Sequence, residues 1–252
     1  MSSGDARLVI VTGGSRGIGA AVARLAAVRG YAVAVNYLQN QRAALRVVEQ
    51  IESSGGSAVL IQGDVAQEAD IVRLFKEAEE AFGPVYGLVN NAGITGGFSR
   101  VEDIQTKNLI DALVTNIAGP ILCSREAVRR MSTRNGGLGG SIVNISSLAA
   151  RTGGAGEWVH YAATKGAVNS FTVGLAREVA VEGIRVNAVA PGLIDTDLHA
   201  SNGAPDRLRE LSPAIPVRRP GRAEEIAEGV VWLLSDAASY TTGAILEIGG
   251  GR

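Results

Sequence analysis

Tyr161 and Lys165 stand four positions apart in the run Tyr161-Ala162-Ala163-Thr164-Lys165, and Ser147 lies upstream behind a short apolar run. Four positions is about one helical turn, so on a helix the phenol and the ammonium share a face. A cation beside a phenol favours the phenolate and lowers the phenol pKa from its ordinary value of about 10. A phenol tuned in this way can protonate a carbonyl oxygen, or deprotonate an alcohol, near neutrality. Ser147 could hydrogen-bond the same substrate oxygen. A carbonyl/alcohol pair handled like this also needs a hydride carrier beside it.

The place for such a carrier is the segment Thr12-Gly13-Gly14-Ser15-Arg16-Gly17-Ile18-Gly19, which joins an apolar run at 8–12 to a helix expected at 16–29. Glycines at 13, 17 and 19 allow a tight turn and a close approach of backbone to phosphate. The start of the helix then offers free N–H groups and a favourable dipole to a pyrophosphate. An ordinary glycine turn would leave the same trace, but the position after a first strand favours a dinucleotide. Strand two ends at Val35-Asn36-Tyr37, where an Asp or Glu would bind the ribose hydroxyls of NAD. Asn36 carries no charge, and Arg16 could pair with a 2′-phosphate, so the reading favours NADP over NAD. Asp64-Val65, after strand three, could position the adenine ring; Asp64 also suits a helix N-cap.

Composition narrows the alternatives. The 252 residues are enough for a single dinucleotide-binding oxidoreductase domain over 1–252, and 46% hydrophobic residues supply a sizeable core. With 24 Lys plus Arg against 25 Asp plus Glu, the net charge of -1 gives no global field for nucleic acid or anionic lipid. Aromatics at 4% disfavour a base-stacking platform. The lone Cys123 cannot form an internal disulfide and fits a reducing compartment. No His or Cys cluster has metal-ligand spacing, so no metal site is expected. The polar N-terminus lacks an apolar signal core, and no apolar run could span a bilayer. A cytoplasmic protein is expected.

The elements that must hold these residues alternate along the chain. Strands are expected at 8–12, 31–37, 58–63, 85–90, 141–145, 184–190 and 244–248. Helices are expected at 16–29, 41–54, 68–82, 104–116, 120–131, 158–182 and 223–235, with a glycine-rich turn at 134–140. Short apolar runs separated by helices argue for an α/β, doubly wound Rossmann fold: a seven-stranded parallel sheet with helices on both faces. The proline-bearing stretch 195–220 breaks the pattern and is expected to form a substrate lid.

Taken in order, the glycine segment 12–19, Asn90-Asn91-Ala92-Gly93, Asn116, Ser147, Tyr161-x-x-x-Lys165 and Pro191-Gly192 resemble the short-chain dehydrogenase/reductase family across nearly the whole chain. Within it, the chain looks most similar to 3-oxoacyl-carrier-protein reductases and glucose 1-dehydrogenases. The resemblance implies Tyr161 as general acid/base, Lys165 as the residue that lowers its pKa and holds the nicotinamide ribose, and Ser147 as the group orienting the carbonyl. It implies that Asn116 holds a water linking Lys165 to solvent. Cofactor contacts would come from Gly13, Ser15, Arg16, Gly17, Ile18, Gly19, Asn36, Asp64 and Val65. Asn90, Ala92 and Gly93 would pack beside the cofactor, with Pro191, Gly192, Ile194 and Thr196 flanking the nicotinamide.

The resemblance also implies a homotetramer built through the helices near 120–131 and 158–182, with the terminal strand at a second interface. The loop 151–160 and the turn 135–140 look longer than in many members, which leaves the substrate open. His160 could line the pocket or simply start a helix, and His199 could belong to the lid. A small-molecule carbonyl or alcohol is the expected substrate, including an acyl thioester whose acidic carrier would dock on Arg129, Arg130 and Arg134. The rival reading is a non-catalytic NADP(H)-sensing regulatory protein on the same fold.

Overall fold

A computed structural model describes residues 6–196 and 206–252. Six strands alternate with helices: β1 (Leu8–Val11), β2 (Ala32–Tyr37), β3 (Ser57–Gln62), β4 (Val85–Asn90), β5 (Gly140–Ile145) and β6 (Ile184–Pro191). The last strand of the sheet is Ile245–Ile248. Neighbours run β3-β2-β1-β4-β5-β6 and then Ile245–Ile248, all parallel. The α/β, doubly wound, seven-stranded sheet expected from the alternation is therefore what forms. Its strand order reverses between β1 and β4, and the crevice at such a point is where ligands bind in open α/β sheets.

Both faces of the sheet are covered. On one side, helices Gly17–Val28 and Ala223–Leu234 pack over Val9, Val11, Val33, Val89 and Val143. On the other, Glu68–Phe82, Gly119–Met131 and Val159–Val179 enclose Leu8, Ile10, Leu88, Ile142 and Phe75. The central strands read as continuous apolar runs because neither face meets water. Each such fully buried side chain contributes about 1.5–3 kcal/mol of transfer free energy. Cys123 belongs to this second core, and its burial pushes the thiol up to about 12.

Beneath the crevice, buried polar side chains join in a network. Asn90, at the end of β4, donates to Asn144 at 2.8 Å and to Ser124 at 3.1 Å, and Asn144 donates to Thr172 at 2.9 Å. The network ties β4 and β5 to two helices just beneath the crevice.

Three elements differ from the sequence reading. The helices expected at 104–116 and 120–131 are not separated by a break: Thr106–Leu113 runs through a π-helical segment, Val114–Ala118, directly into Gly119–Met131. Pro120, which has no N–H to donate, stands immediately after the π-helical segment. The loop after Ser147 contains a short helix, Ala149–Thr152. The segment expected to form a lid is pinned at its base by a two-residue pairing of Ile194–Asp195 with Gly221–Arg222, and it carries a short helix, Arg207–Leu211. His199 lies outside the described residues. No described helix is long and apolar enough to cross a membrane, and no described cluster of His, Cys, Asp or Glu could hold a metal ion.

Asn144→Ala removes the hub of the buried network: Asn90 and Thr172 each lose one bond and keep those to Ser124 and the Val168 carbonyl. The expected cost is about 0.5–1.5 kcal/mol per lost bond, read as a lower urea midpoint. An unchanged midpoint would show that the network contributes no stability.

Candidate active site

The glycine segment and the loop after β4 meet at the crevice. Gly13 has φ +62°, and a Cβ there would lie 3.0 Å from the Ala92 Cα. A Cβ on Gly19 would sit 2.4 Å from the Asn91 amide nitrogen and 2.5 Å from the Gly13 carbonyl, so only glycine lets the two loops close. Thr12 holds the junction. Its hydroxyl accepts from the N–H groups of Asn91 and Ala92 at 3.0 and 3.1 Å, and Asn91 donates to the Thr12 and Gly13 carbonyls at 2.9 and 3.0 Å. Thr12 and Asn91 were not singled out as site residues from the sequence. Both are uncharged and unmotivated until the loops are seen to touch.

Helix Gly17–Val28 starts with no side-chain cap and no acidic residue in its first turn, which leaves its N–H groups open. Arg16 is exposed at this start. The side chain of Thr196 lies across the opening, 3.4 Å from where a Gly17 Cβ would be. Asn36 does not reach outward toward a ribose. Its amide oxygen accepts from Gly13 N–H at 3.2 Å, and its nitrogen donates to the Gly63 carbonyl at 3.0 Å, so it fastens the glycine segment to β3. Asp64 is a turn residue rather than the helix cap, because its carboxylate accepts from Ala66 N–H at 2.9 Å while Gln67 occupies the N-cap. Val65 is buried against Gly119. An open helix end, a glycine cradle that any Cβ would fill and an uncapped cationic rim fit a dinucleotide pyrophosphate.

At the other end of the crevice, helix Val159–Val179 carries Tyr161 and Lys165, both buried. The two serines separate cleanly. Ser146 donates to Asn169 at 2.6 Å and is committed to the helix. Ser147 accepts from Ala149 N–H at 3.1 Å and hydrogen-bonds Tyr161. Lys165 donates to the Ile145 carbonyl at 2.7 Å, and its Nζ lies 5.6 Å from the centre of the Tyr161 ring.

The titration behaviour differs from the expected lowering of the phenol pKa. Burial pushes Tyr161 up to about 12, opposed by its bond with Ser147. Burial also pushes the Lys165 ammonium down to about 8. The spacing does place both groups on one face, but the ammonium reaches back to β5 instead of to the phenol oxygen.

Asn116 stands in the π-helical segment, and its amide is fully engaged. It accepts from Ile94 N–H at 2.9 Å and donates to the Ile94 carbonyl at 2.7 Å and to Thr164 at 3.0 Å. A Cβ on Gly93 would meet the Asn116 oxygen at 3.2 Å and Lys165 Nζ at 3.6 Å, so these three residues converge. Asn90 instead turns into the core network described above. Pro191 ends β6, and its carbonyl accepts from Leu148 N–H at 2.9 Å; Gly192 packs on Gly249, and Ile194 is buried at the small strand pair. His160 is buried beside the loop at Gly96 and does not join Tyr161 and Ser147. A pocket of about 260 Å³ opens beside Ser147, bounded by Trp158, Leu193 and Arg207.

The arginines expected to form an acidic-carrier rim each pair with carboxylates of the chain. Arg129 pairs with Glu126 at 2.7 Å, Arg130 with Glu126 and Glu79 at 2.7 and 2.9 Å, and Arg134 with Glu182 at 3.1 Å. Each guanidinium finds a carboxylate from its own or an adjoining helix, while the side chains of Arg129 and Arg134 stay 60% and 78% exposed.

The family model described as enoyl-(acyl carrier protein) reductase matches residues 13–252. The uncharacterized oxidoreductase YgfF of Escherichia coli strain K12 is 49% identical over 245 residues, covering 97% of this chain and 99% of that protein. A Staphylococcus aureus 3-oxoacyl-[acyl-carrier-protein] reductase, FabG, is 39% identical over 245 residues, 96% of each chain. Among solved structures, a dehydrogenase/reductase from Sinorhizobium meliloti 1021 superposes with TM-score 0.90 at 35% identity, covering 99% of this chain and 96% of that one. A Serratia marcescens short-chain dehydrogenase/reductase mutant superposes with TM-score 0.89 at 34% identity, covering 97% of each.

The depressed Lys165 value has a stability consequence with a definite sign. Between pH 8 and 10 the native Lys165 binds fewer protons than the same lysine in the unfolded chain, where it keeps its ordinary value of 10.5. Stability contributed through Lys165 therefore rises with pH across that window, by about 1–3 kcal/mol. The buried Cys123 thiol, held up at about 12 against an ordinary 9.0, opposes this rise in the same window, so urea unfolding at the two pH values should give a more positive change in stability for the native protein than for Lys165→Met. An identical change in the two proteins would contradict the Lys165 assignment.

Proposed function

The chain belongs to the short-chain dehydrogenase/reductase family and is an oxidoreductase, and on that premise we propose that it interconverts a carbonyl and an alcohol with NADP(H), using Tyr161 as general acid/base. The observation that carries this reading is the convergence of Tyr161, Ser147 and Lys165 in a buried corner at the end of the crevice that begins with the glycine segment.

The open helix start and Gly13–Gly19 would hold the pyrophosphate, and Arg16 the 2′-phosphate. The side of Lys165 near Gly93 and Asn116 would face the nicotinamide ribose, and Thr196 with Ile194 would border the nicotinamide itself. When bound, the nucleotide supplies the hydride. The remaining work belongs to the chain. The Ser147 and Tyr161 hydroxyls, already bonded to one another, would together bind a carbonyl oxygen, and Tyr161 would release its proton to that oxygen as the alcohol forms.

A phenol raised by burial remains protonated near neutrality, which suits it as the acid of carbonyl reduction. Lys165 would stabilise the phenolate left behind. Asn116 would act through position: by gripping Ile94 and Thr164, it fixes the loop that closes over Lys165. For oxidation, the phenol would have to be lowered first, and a positive charge near it would do that.

The preference for NADP(H) rests on the uncharged, inward-facing Asn36 and the exposed Arg16. The substrate is a small-molecule carbonyl or alcohol. Assembly as a homotetramer is part of the proposal. Ala163 and Gly166 stand on the outer side of the Val159–Val179 helix with room for a close neighbour, whereas Ala162 is packed inside against Trp158 and Tyr161. No observation favours the sensor reading.

Two substitutions test the proposal. Tyr161→Phe should lower ketone reduction by about a thousandfold or more, within the usual range for losing a general acid and its hydrogen bond together, while NADPH binding followed by fluorescence stays intact. Reduction at the native rate would remove Tyr161 from the chemistry. Arg16→Ala should lower the ratio of kcat/KM with NADPH to that with NADH by about tenfold or more, the scale of a lost charge-assisted phosphate contact. An unchanged ratio would remove Arg16 from cofactor selection.

A further inference from the structure

The substrate side of the site is walled by residues far apart in the chain. Arg207 opens the short helix Arg207–Leu211, and its guanidinium is held by both carboxylate oxygens of Glu157, one of them at 2.6 Å. The same guanidinium lies 4.8 Å from the centre of the Trp158 ring and 5.2 Å from that of Phe98. Phe98 and Trp158 stack at 4.5 Å, and Trp158 meets Tyr161 at 5.2 Å. The backbone joins in, because Ser99 N–H donates to the Glu157 carbonyl at 2.7 Å. Four elements thus converge: the loop after β4, the loop after Ser147, the start of the Tyr161 helix and the helix that follows the small strand at Ile194–Asp195.

The Arg207 side chain is only 11% exposed, and its Nε has no partner. Glu157 keeps 36% of its side chain exposed, so solvent screens the pair and its net contribution to stability is small. What a two-pronged guanidinium–carboxylate contact does supply is direction, because its fork fixes the relative orientation of the two groups. Stacking over two rings adds a cation–π attraction that acts only in this arrangement. The contact therefore specifies geometry, and the geometry it specifies is the position of the indole between Arg207 and Tyr161.

We propose that Arg207 is a positioning residue that sets substrate size: its contact with Glu157, Phe98 and Trp158 latches the segment beginning at residue 206 against the indole beside Tyr161 and so fixes the width of the pocket next to Ser147. The proposal rests on the carbonyl-reduction reading only for what the pocket receives. The latch itself is a structural statement with its own readout. Because Arg207 touches the indole, and because the other tryptophan, Trp232, lies on the opposite face of the sheet and is partly exposed, Trp158 can be observed alone in a Trp232→Phe background.

In that background, Arg207→Met replaces the fork with an apolar side chain of similar length. Arg207→Lys keeps the charge without the fork, and Glu157→Gln removes the opposing charge. The latch predicts that Arg207→Met shifts Trp158 emission to the red, with Arg207→Lys falling in between. It also predicts that kcat/KM for ethyl benzoylacetate relative to ethyl acetoacetate rises by about fivefold or more, while the NADPH dissociation constant changes by less than about twofold.

Unchanged emission and an unchanged ratio in Arg207→Met and Glu157→Gln would overturn the proposal. So would a loss of NADPH affinity matching the loss of turnover, which would place Arg207 on the cofactor side. If Arg207→Met does not fold, Arg207→Lys and Glu157→Gln decide by the same criteria. If the native protein reduces neither ketone, the functional reading fails, and the emission of the variants still decides the latch.

Discussion

Taking a phenol and an ammonium out of water disfavours the charged form of each, and the fold does this to Tyr161 and Lys165 together. Burial alone would leave a neutral tyrosine and a reluctant cation, two groups with no reason to exchange protons near neutrality. The surroundings make the pair usable. The Ile145 carbonyl accepts from the ammonium, and the Ser147 hydroxyl bonds the phenol. Each group is thereby held in a dry site by one polar contact, and every nearby element serves to keep that site dry and in register with the crevice.

The supporting structure is economical in the way it disposes of polar groups. Asn36 spends its amide on the glycine segment, Asn91 on the Thr12 and Gly13 carbonyls, Asn116 on Ile94 and Thr164, and Asn90 on Asn144. Four asparagines around one crevice each tie together two separate parts of the chain. Amides suit this task because each offers a donor and an acceptor without a charge to desolvate. The result is a rigid floor on the cofactor side. The wall on the substrate side is made differently, by aromatic stacking and one ion pair, and that contrast fits a family in which one chemistry serves many substrates.

Much of this was legible in the sequence because it is local. The apolar runs of β1, β2, β4, β5 and β6 announce strands buried on both faces, and Gly13, Gly17 and Gly19 announce a backbone that must approach something closely. Tyr161 and Lys165 are one turn apart in any helix. The rest depends on contacts that spacing cannot show. The π-helical segment at Val114–Ala118 looks like a break before Pro120, because the side-chain bonds that hold Asn116 come from the loop after β4 and from the Tyr161 helix. The Lys165 ammonium shares a face with the phenol but bonds the Ile145 carbonyl, so the direction of the phenol shift reverses. The pairing of Arg130 with Glu79 and of Arg134 with Glu182 is likewise invisible in the spacing, because the partners come from other helices or other turns. Arg207 carried no signal at all, since its partners lie in two other loops.

The central claim is that burial holds the Tyr161 phenol protonated and that a positive charge arriving in the crevice releases it. Titration of Tyr161 by NMR, with a carbon label at the phenol-bearing ring position and Tyr161→Phe to assign the signal, tests this directly. In the free protein the resonance should titrate close to about 12. With oxidised nucleotide bound, the added positive charge should bring the midpoint down by one or more units, and Lys165→Met should remove much of that fall. A midpoint at the ordinary tyrosine value in the free protein, or one that nucleotide leaves in place, would contradict the account.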